Sequence, residues 1–167
     1  MIRVAVITIS DSCFEGTRQD RSGPAVRERL ESLGWEVSVT EVLPDEQERI
    51  SARLIEIASE ARVSAVFTTG GTGVAPRDVT PEATRAVLER EIPGLGERMR
   101  TEGAKATPLA ALSRSVAGCR GRTLIVNLPG SPKGALESLN AIVELVPHII
   151  DLLCGKTEHP AKLDTVA

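Results

Sequence analysis

Apolar residues along the chain form short runs that alternate with amphipathic stretches, a pattern that predicts strands alternating with helices. The first run, residues 2–9, is almost continuously apolar and β-branched, which is typical of a strand buried on both faces of a parallel sheet. Later strands are predicted at residues 35–43, 63–67, 113–117 and 122–128. The last two, joined through residues 118–121, form a hairpin-like unit. We therefore expect a mostly parallel sheet with one antiparallel strand.

Apolar residues spaced three and four positions apart predict the helices between these strands. A polar loop over residues 10–24 precedes a helix that ends at Gly34, and a second helix begins at residues 44–48. Its apolar face consists of Ile50, Leu54, Ile57, Ala58 and Ala61. Further helices are predicted at residues 81 to about 90, 95 to about 105, and 109–112.

The last helix, beginning at Pro132, carries two apolar stripes, and Pro147 is expected to kink or split it. The first stripe consists of Leu136, Leu139, Val143, Val146, Ile150 and Leu153; the second consists of Ile142, Leu145, Ile149 and Leu152. An oligomer contact or broad coverage of the sheet would each account for the second stripe. Residues 163–167 are expected to form a loose tail.

Composition narrows the class of protein. With 167 residues, 41% hydrophobic and 26% charged, the chain fits one globular domain over residues 1–167. A net charge of −3 and only 2% aromatic residues argue against nucleic-acid binding. Three widely spaced cysteines predict neither a zinc site nor a disulfide framework. No signal peptide or membrane-spanning run is recognisable, so we expect a cytoplasmic protein without a membrane partner.

The most informative stretch joins the third predicted strand to the next helix. It reads Thr68-Thr69-Gly70-Gly71-Thr72-Gly73, followed by Val74-Ala75-Pro76-Arg77-Asp78-Val79-Thr80-Pro81. Thr80 is predicted as the N-cap of the helix and Pro81 as its first residue. The glycines either satisfy turn geometry alone or expose backbone N–H groups to an anion. Asp78 is not needed as a cap, and a carboxylate beside such a loop can hold Mg²⁺ shared with phosphates.

A second junction of this kind follows the last strand, at Leu128-Pro129-Gly130-Ser131-Pro132-Lys133. Ser131 is either only an N-cap or part of an anion site with Gly130 and Lys133. Because strands of a parallel sheet end at one edge, Ser10 and Asp11, which follow the first strand, could face the same crevice or be ordinary loop residues. Asp45 is predicted as the N-cap of the second helix, with Glu48 completing a capping-box-like pair.

Several established motifs are absent from the sequence. It contains no Gly-x-x-x-x-Gly-Lys-Ser/Thr loop, no Gly-x-Gly-x-x-Gly after a strand and no Gly-x-Ser-x-Gly elbow. His148 and His159 are expected to be packed or solvated. With no evident nucleophile–base pair, chemistry that relies on positioning and charge neutralisation, such as phosphoryl-type transfer, fits best.

These motifs together resemble the Mog/MoaB family of molybdenum cofactor biosynthesis. The resemblance rests on the glycine stretch with Arg77-Asp78-Val79-Thr80-Pro81 and on Leu128-Pro129-Gly130-Ser131-Pro132. It extends through Ile9-Ser10-Asp11, Asp20-Arg21-Ser22-Gly23-Pro24 and Leu43-Pro44-Asp45-Glu46, and so covers nearly the whole chain in the same order. It implies a three-layer α/β/α sandwich that assembles as a homotrimer or a dimer of trimers.

The resemblance also implies a molybdopterin adenylyltransferase, in which the terminal phosphate of molybdopterin attacks the α-phosphorus of Mg·ATP. It assigns Asp45 and Asp78 to Mg²⁺ binding and catalysis, which revises the capping interpretation of Asp45. Binding of nucleotide phosphates or pterin falls on the remaining motif residues, which are Gly70, Gly71, Thr72, Gly73, Thr80, Pro129, Gly130 and Ser131. A molybdenum-insertion protein is a candidate partner.

Two alternatives remain open at this point. One is a non-catalytic molybdopterin-binding or scaffold protein of the MoaB type, which would bind pterin without ATP turnover. The other is a nucleotide pyrophosphatase, suggested by a relation to CinA-type proteins, which would hydrolyse nucleotides without molybdopterin.

Overall fold

The structure is a computed structural model that describes residues 1–60 and 62–156. Its strands are β1 (Arg3–Ile9), β2 (Glu36–Leu43), β3 (Ala65–Thr69), β4 (Arg90–Glu91), β5 (Ala117–Arg120) and β6 (Thr123–Leu128). Its helices are α1 (Asp11–Phe14), α2 (Ser22–Ser32), α3 (Gln47–Ser59), α4 (Thr80–Arg85), α5 (Pro93–Ala104), α6 (Pro132–Ile142) and α7 (Val146–Leu153). Two 3-10 helices lie at Pro108–Leu112 and Val143–Leu145. Ala61, His159 and the predicted tail at 163–167 lie outside the described residues.

The predicted sheet is confirmed as mostly parallel with an antiparallel edge. Its strand order is β2-β1-β3-β6-β5-β4. Strands β2, β1, β3 and β6 run parallel, and the chain then reverses, since β5 pairs antiparallel with β6 and β4 antiparallel with β5. The parallel register places Thr69 of β3 beside Thr8 of β1 and Leu128 of β6. The loops that follow β1, β3 and β6 therefore leave the sheet side by side at one edge.

Helices cover both faces of the sheet, which confirms the three-layer α/β/α sandwich. Alternate residues of each central strand point to opposite sides. Val4, Val6 and Phe67 pack with residues of α2, α5, α6 and α7 in one buried cluster. Ala5, Ile7 and Val66 pack with residues of α3 and α4 in another. Because both faces are covered, the central strands are mostly apolar, with buried polar residues such as Thr68, Thr69 and Asn127 near their carboxyl ends, and this is why nearly continuous apolar runs predicted them.

Predicted boundaries are wrong in the antiparallel part of the sheet. The strand predicted at residues 113–117 lies instead at Ala117–Arg120, and most of the expected linker at 118–121 is this strand. Gly118 belongs inside it because a Cβ there would lie 2.4 Å from the carbonyl oxygen of Arg90 on β4. The helix predicted to reach residue 90 ends at Arg85, since residues 90–91 pair with β5.

The final helical segment is split as predicted at Pro147, which lies in the first turn of α7 after a 3-10 turn. Most of its second apolar stripe covers the sheet of its own chain. Ile142 is buried in the core, and Leu145 and Ile149 pack against it. Only Leu152 of that stripe remains exposed, at 40%. Within residues 1–60 and 62–156, none of the helices combines the length and apolar character needed to cross a membrane.

Candidate functional site

The glycine loop, residues 70–79, leaves β3 through a turn that requires glycine. Gly70 and Gly71 have φ angles of +97° and +64°, in the left-handed region that side chains rarely adopt. A Cβ on Gly70 would lie 2.2 Å from the carbonyl oxygen of Ile9, and one on Gly71 would lie 2.2 Å from the Thr80 hydroxyl. The turn is thus pressed against the end of β1. Turn geometry therefore requires glycine at both positions.

Thr80 has a different place from the one predicted. The residue before α4 is Val79, which makes no side-chain cap, so the prediction of Thr80 as an N-cap is wrong. Its hydroxyl donates to the carbonyl oxygen of Gly70 at 2.9 Å, and its backbone N–H donates to that of Gly71 at 3.1 Å. Thr80 is fully buried. Thr80 therefore holds the first two residues of the glycine loop in place through these two hydrogen bonds.

Asp45 also has a different role in the structure from the N-cap role that the sequence predicted. The residue preceding α3 is Glu46, without a side-chain cap, so the capping prediction for Asp45 is wrong. Instead, Asp45 accepts a hydrogen bond from the backbone N–H of Asp11 at 2.9 Å, and Asp11 accepts one from the N–H of Asp45 at 2.9 Å. This reciprocal exchange ties the end of β1 to the end of β2. It also turns the Asp45 carboxylate toward the glycine loop, 2.9 Å from where a Gly71 Cβ would stand.

Charges around Asp45 are unbalanced. Burial raises the pKa of its carboxyl group, and the nearby carboxylates of Asp11 and Asp78 raise the pKa further, although the Asp11 N–H and Arg77 oppose this. Asp11 itself is neutralised, because two nitrogens of Arg77 donate to its carboxylate at 2.9 Å each. That hydrogen bonding lowers the pKa of Asp11. Negative charge thus remains at Asp45 and Asp78.

Asp78 lies at the far end of the glycine loop. Its carboxylate accepts a hydrogen bond from the backbone N–H of Ala75 at 2.9 Å, and its own N–H donates to the Ala75 carbonyl oxygen at 2.9 Å. One carboxylate oxygen lies 2.7 Å from where a Cβ on Gly73 would stand. The loop thus folds back on itself and holds the carboxylate beside the glycines.

The second junction behaves partly as predicted. Ser131 is the N-cap of α6, accepting from the N–H of Gly134 at 3.1 Å, and Pro132 is the first helical residue. Gly130 lies against the glycine loop, since its Cβ would be 3.2 Å from the Cα of Gly70. Lys133 pairs instead with Glu137 at 3.8 Å and lines neither of the cavities described next.

Two cavities of about 450 and 460 Å³ flank the glycine loop. The first cavity is the more polar of the two, and it is lined by Ser10, Asp45, Gly70 and the segment from Arg18 to Ser22. The second cavity is more apolar, and it is lined by Thr72, Gly73, Met99, Leu109, Leu112, Ser113 and Pro129. Four residues line both cavities, namely Gly71, Asp78, Gly130 and Ser131. Of the residues that the family resemblance assigns to the site, Thr80 is the one that lines neither.

Donors for a divalent cation are few but suitable. Within residues 1–60 and 62–156, no group of three His, Cys, Asp or Glu side chains could hold a metal ion. Asp45 and Asp78 both line the first cavity, and the charge of Asp78 is close enough to raise the pKa of Asp45. Two carboxylates with a phosphate-bearing ligand suit Mg²⁺, which keeps several waters and is commonly shared with substrate phosphates.

Sequence reasoning missed two residues that organise the site. The Asp20 carboxylate accepts hydrogen bonds from the Thr8 hydroxyl at 2.6 Å and from the backbone N–H of Gly23 at 3.0 Å. These two bonds fix the wall of the first cavity. The position of Asp20 in a polar segment after β1, within a motif shared with the Mog/MoaB family, was the available signal, but no role was assigned to it. Arg114 binds two carbonyl oxygens of the glycine loop, of Gly73 at 2.7 Å and of Asp78 at 2.6 Å. No local signal marked it, because its partners lie more than 30 residues away.

With this geometry described, the chain can be compared with known proteins. Residues 5–148 match the family described as "probable molybdopterin binding domain". The chain is 42% identical over 156 residues to a protein of Helicobacter pylori strain J99 named molybdopterin adenylyltransferase, covering 92% of this chain and 89% of that protein. It is also 42% identical over 153 residues to the Drosophila melanogaster molybdenum cofactor synthesis protein cinnamon. That match covers 91% of this chain but spans about a quarter, 26%, of the Drosophila protein.

A solved structure gives the same result. The molybdopterin biosynthesis enzyme MoaB of Thermus thermophilus superposes with a TM-score of 0.87 at 53% sequence identity. The superposition covers 93% of this chain and 98% of that one. The similarity thus extends over β1 to α7 and includes every element that contributes to the two cavities.

Proposed function

Because the chain belongs to the family of probable molybdopterin binding domains, we propose that it is a molybdopterin adenylyltransferase that uses Mg·ATP. One observation of the site carries the proposal. Two cavities of nearly equal size, one polar and one more apolar, meet at a wall formed by Gly71, Asp78, Gly130 and Ser131. A reaction that joins two substrates needs two adjoining sites with the reacting groups at their boundary.

We assign the nucleotide to the polar cavity. Arg18 and Arg21 line it and supply positive charge, and the glycine backbone at its wall suits phosphate oxygens. The pterin is assigned to the second cavity, where Met99, Leu109 and Leu112 offer apolar surface for a ring system and Ser131 lies at an α-helix N-terminus. Its terminal phosphate would then lie at the shared wall.

The reaction follows from this placement. A terminal phosphate oxygen of molybdopterin attacks the α-phosphorus of ATP and forms a new P–O bond. The bond between the α-phosphorus and its bridging oxygen breaks, and pyrophosphate leaves. When bound at Asp45 and Asp78, Mg²⁺ would neutralise phosphate charge as it develops. The chain itself aligns the two phosphates and presents backbone N–H groups of residues 71–73 and the Ser131 hydroxyl to their oxygens.

Incubation of the protein with molybdopterin and Mg·ATP, followed by detection of adenylylated molybdopterin and pyrophosphate, tests the proposal. Formation of both products in equal amounts is expected. Pterin binding without product would instead identify a binding or scaffold protein of the MoaB type. Pyrophosphate formed in the absence of molybdopterin would identify a nucleotide pyrophosphatase.

We also propose a homotrimer, or a dimer of trimers, acting in the cytoplasm and delivering its product to a molybdenum-insertion protein. The exposed apolar side chains Val74 and Leu152, at 69 and 40% exposure, support burial against another chain. Light scattering in dilute buffer should give a multiple of the 17.8 kDa chain mass that is divisible by three. A monomer would remove this part of the proposal.

A further inference from the structure

We propose that Arg114 is a positioning residue that fixes the glycine loop, and with it Asp78, in the geometry that adenylyl transfer requires. The effect on catalysis rests on the proposed function, whereas the effect on the loop is a property of the fold alone. Arg114 lies in the segment between the 3-10 helix and β5, on the side of the loop away from both cavities.

Four contacts join Arg114 to the glycine loop and to α4. Its backbone N–H donates to the Thr72 carbonyl oxygen at 2.8 Å. In the guanidinium group, Nε donates to the Gly73 carbonyl oxygen at 2.7 Å and one terminal nitrogen donates to the Asp78 carbonyl oxygen at 2.6 Å. The other terminal nitrogen pairs with the carboxylate of Glu82. One side chain thereby joins the two ends of the loop to each other and to the following helix.

The loop depends on this clamp because the other side-chain support of its middle, the ion pair of Arg77 with Asp11, is largely exposed to solvent and so contributes little. Residues 74–77 are exposed and belong to neither strand nor helix. Thr80 secures only the base of the loop, through Gly70 and Gly71. The far end, where Asp78 lies, is held by its own turn with Ala75 and by Arg114. Loss of the clamp would free the segment that carries the carboxylate.

The geometry requires arginine specifically. Three nitrogens of one planar group reach three acceptors in different directions, which the single ammonium of lysine cannot do. Arg114 lines neither cavity, so it does not reach a bound substrate and can act only through the loop. Arg114→Lys therefore retains the positive charge and removes the planar guanidinium group whose three nitrogens make these contacts.

The matched control is Arg53→Lys on α3. Arg53 is half-buried and also pairs with two carboxylates, those of Glu41 at 2.6 Å and Glu56 at 2.8 Å. It lines neither of the two cavities and makes no contact with the glycine loop. A general cost of replacing a paired arginine would appear equally in both variants.

The experiment measures hydrogen–deuterium exchange of residues 70–79, thermal melting, and kcat and KM for both substrates in the full chain. For Arg114→Lys we expect exchange in the glycine loop to rise by about tenfold or more while the sheet stays protected. We expect kcat to fall about 10- to 100-fold, the scale of a small misplacement at a reacting centre, with KM for molybdopterin changed less than about threefold. Arg53→Lys should change neither loop exchange nor kcat.

Each other outcome has a distinct meaning. Unchanged loop exchange in Arg114→Lys overturns the clamp. Faster loop exchange with wild-type kcat overturns its catalytic consequence. Faster exchange throughout the chain, with a larger fall in melting temperature than in the control, identifies a general structural role and also overturns the proposal. If the unaltered protein transfers no adenylyl group, the proposed function fails, while loop exchange still decides whether Arg114 fixes the loop.

Discussion

Replacing Asp78 by asparagine separates the two roles that its carboxylate could have. In the structure this carboxylate accepts one hydrogen bond, from the N–H of Ala75 at 2.9 Å. The amide oxygen of asparagine can accept the same bond, and asparagine tolerates the same turn conformations. Asp78→Asn therefore preserves the loop and removes only the negative charge. Asp78→Ala removes both, and loss of the hydrogen bond should cost about 0.5–1.5 kcal/mol of stability.

The expected magnitudes follow from this comparison. If Asp78 supports Mg²⁺ at the ATP phosphates, Asp78→Asn should lower adenylylation by roughly 10²–10³-fold, the scale for loss of one electrostatic stabiliser of a transition state. Stability should be unchanged or slightly raised, because the charge of Asp78 opposes that of Asp45. Pterin affinity should persist, since Ser131 and the apolar wall of the second cavity are untouched.

The assay combines turnover across a Mg²⁺ titration, pterin affinity and thermal melting on one preparation. Asp151→Asn provides a control, because that carboxylate pairs with Lys156 at 2.7 Å and lines neither cavity. Near-native turnover of Asp78→Asn at limiting Mg²⁺ would refute the metal-site assignment. If turnover falls and the melting temperature of Asp78→Asn also falls below that of the wild type and the control, the effect comes from a disturbed loop and not from the lost charge.

Two further predictions concern neighbouring groups. Ser131→Ala removes the cap that accepts from Gly134 N–H, so it should cost about 0.5–2 kcal/mol of stability. It should also weaken pterin binding about 10- to 100-fold, more than it weakens ATP binding; titrations giving equal weakening would contradict the pterin assignment. For Glu82, burial acts to raise the pKa, but the hydrogen bond and charge of Arg114 outweigh it and hold the pKa below 4.5. Because the pKa is lowered in the folded protein, ionised Glu82 stabilises the fold above pH 4.5. This stabilisation is lost as the pH falls through the pKa that Glu82 has in the folded protein. Melting curves should therefore show Glu82→Gln less stable than wild type at pH 7 and equally stable in acid; a difference that persists in acid would disprove this.

Much of the molecule could be predicted from the sequence because it depends on neighbours along the chain. The apolar runs identified β1, β3 and β6, since strands covered on both faces are mostly apolar. Ser131 and Pro132 marked the start of α6 because capping is a contact within one turn. The glycines after β3 were recognised for the same reason, since positive φ angles restrict residue type locally.

The boundaries near the antiparallel edge needed the tertiary structure. Gly118 has the composition of a turn, yet it belongs to β5 because the backbone of β4 approaches it closely. The short helix α1, expected as loop, begins at Asp11, which exchanges hydrogen bonds with the distant Asp45. Local propensity is weak in such short elements, and contacts from elsewhere in the chain outweigh it.

The roles of individual site residues were decided only by the fold. Asp45 had a local capping pattern, but it exchanges hydrogen bonds with Asp11, 34 residues away. Arg114 had no local signal, and it holds a loop that precedes it by about 40 residues. The first contact exists because β1 and β2 are parallel neighbours, so the residues that follow them meet at one edge of the sheet. The second exists because antiparallel β5 begins near the edge at which β3 and β6 end. Sequence determines which residues can make a turn, a cap or a buried strand, whereas strand order decides which distant polar groups meet, because such contacts depend on long-range pairing that no local pattern encodes.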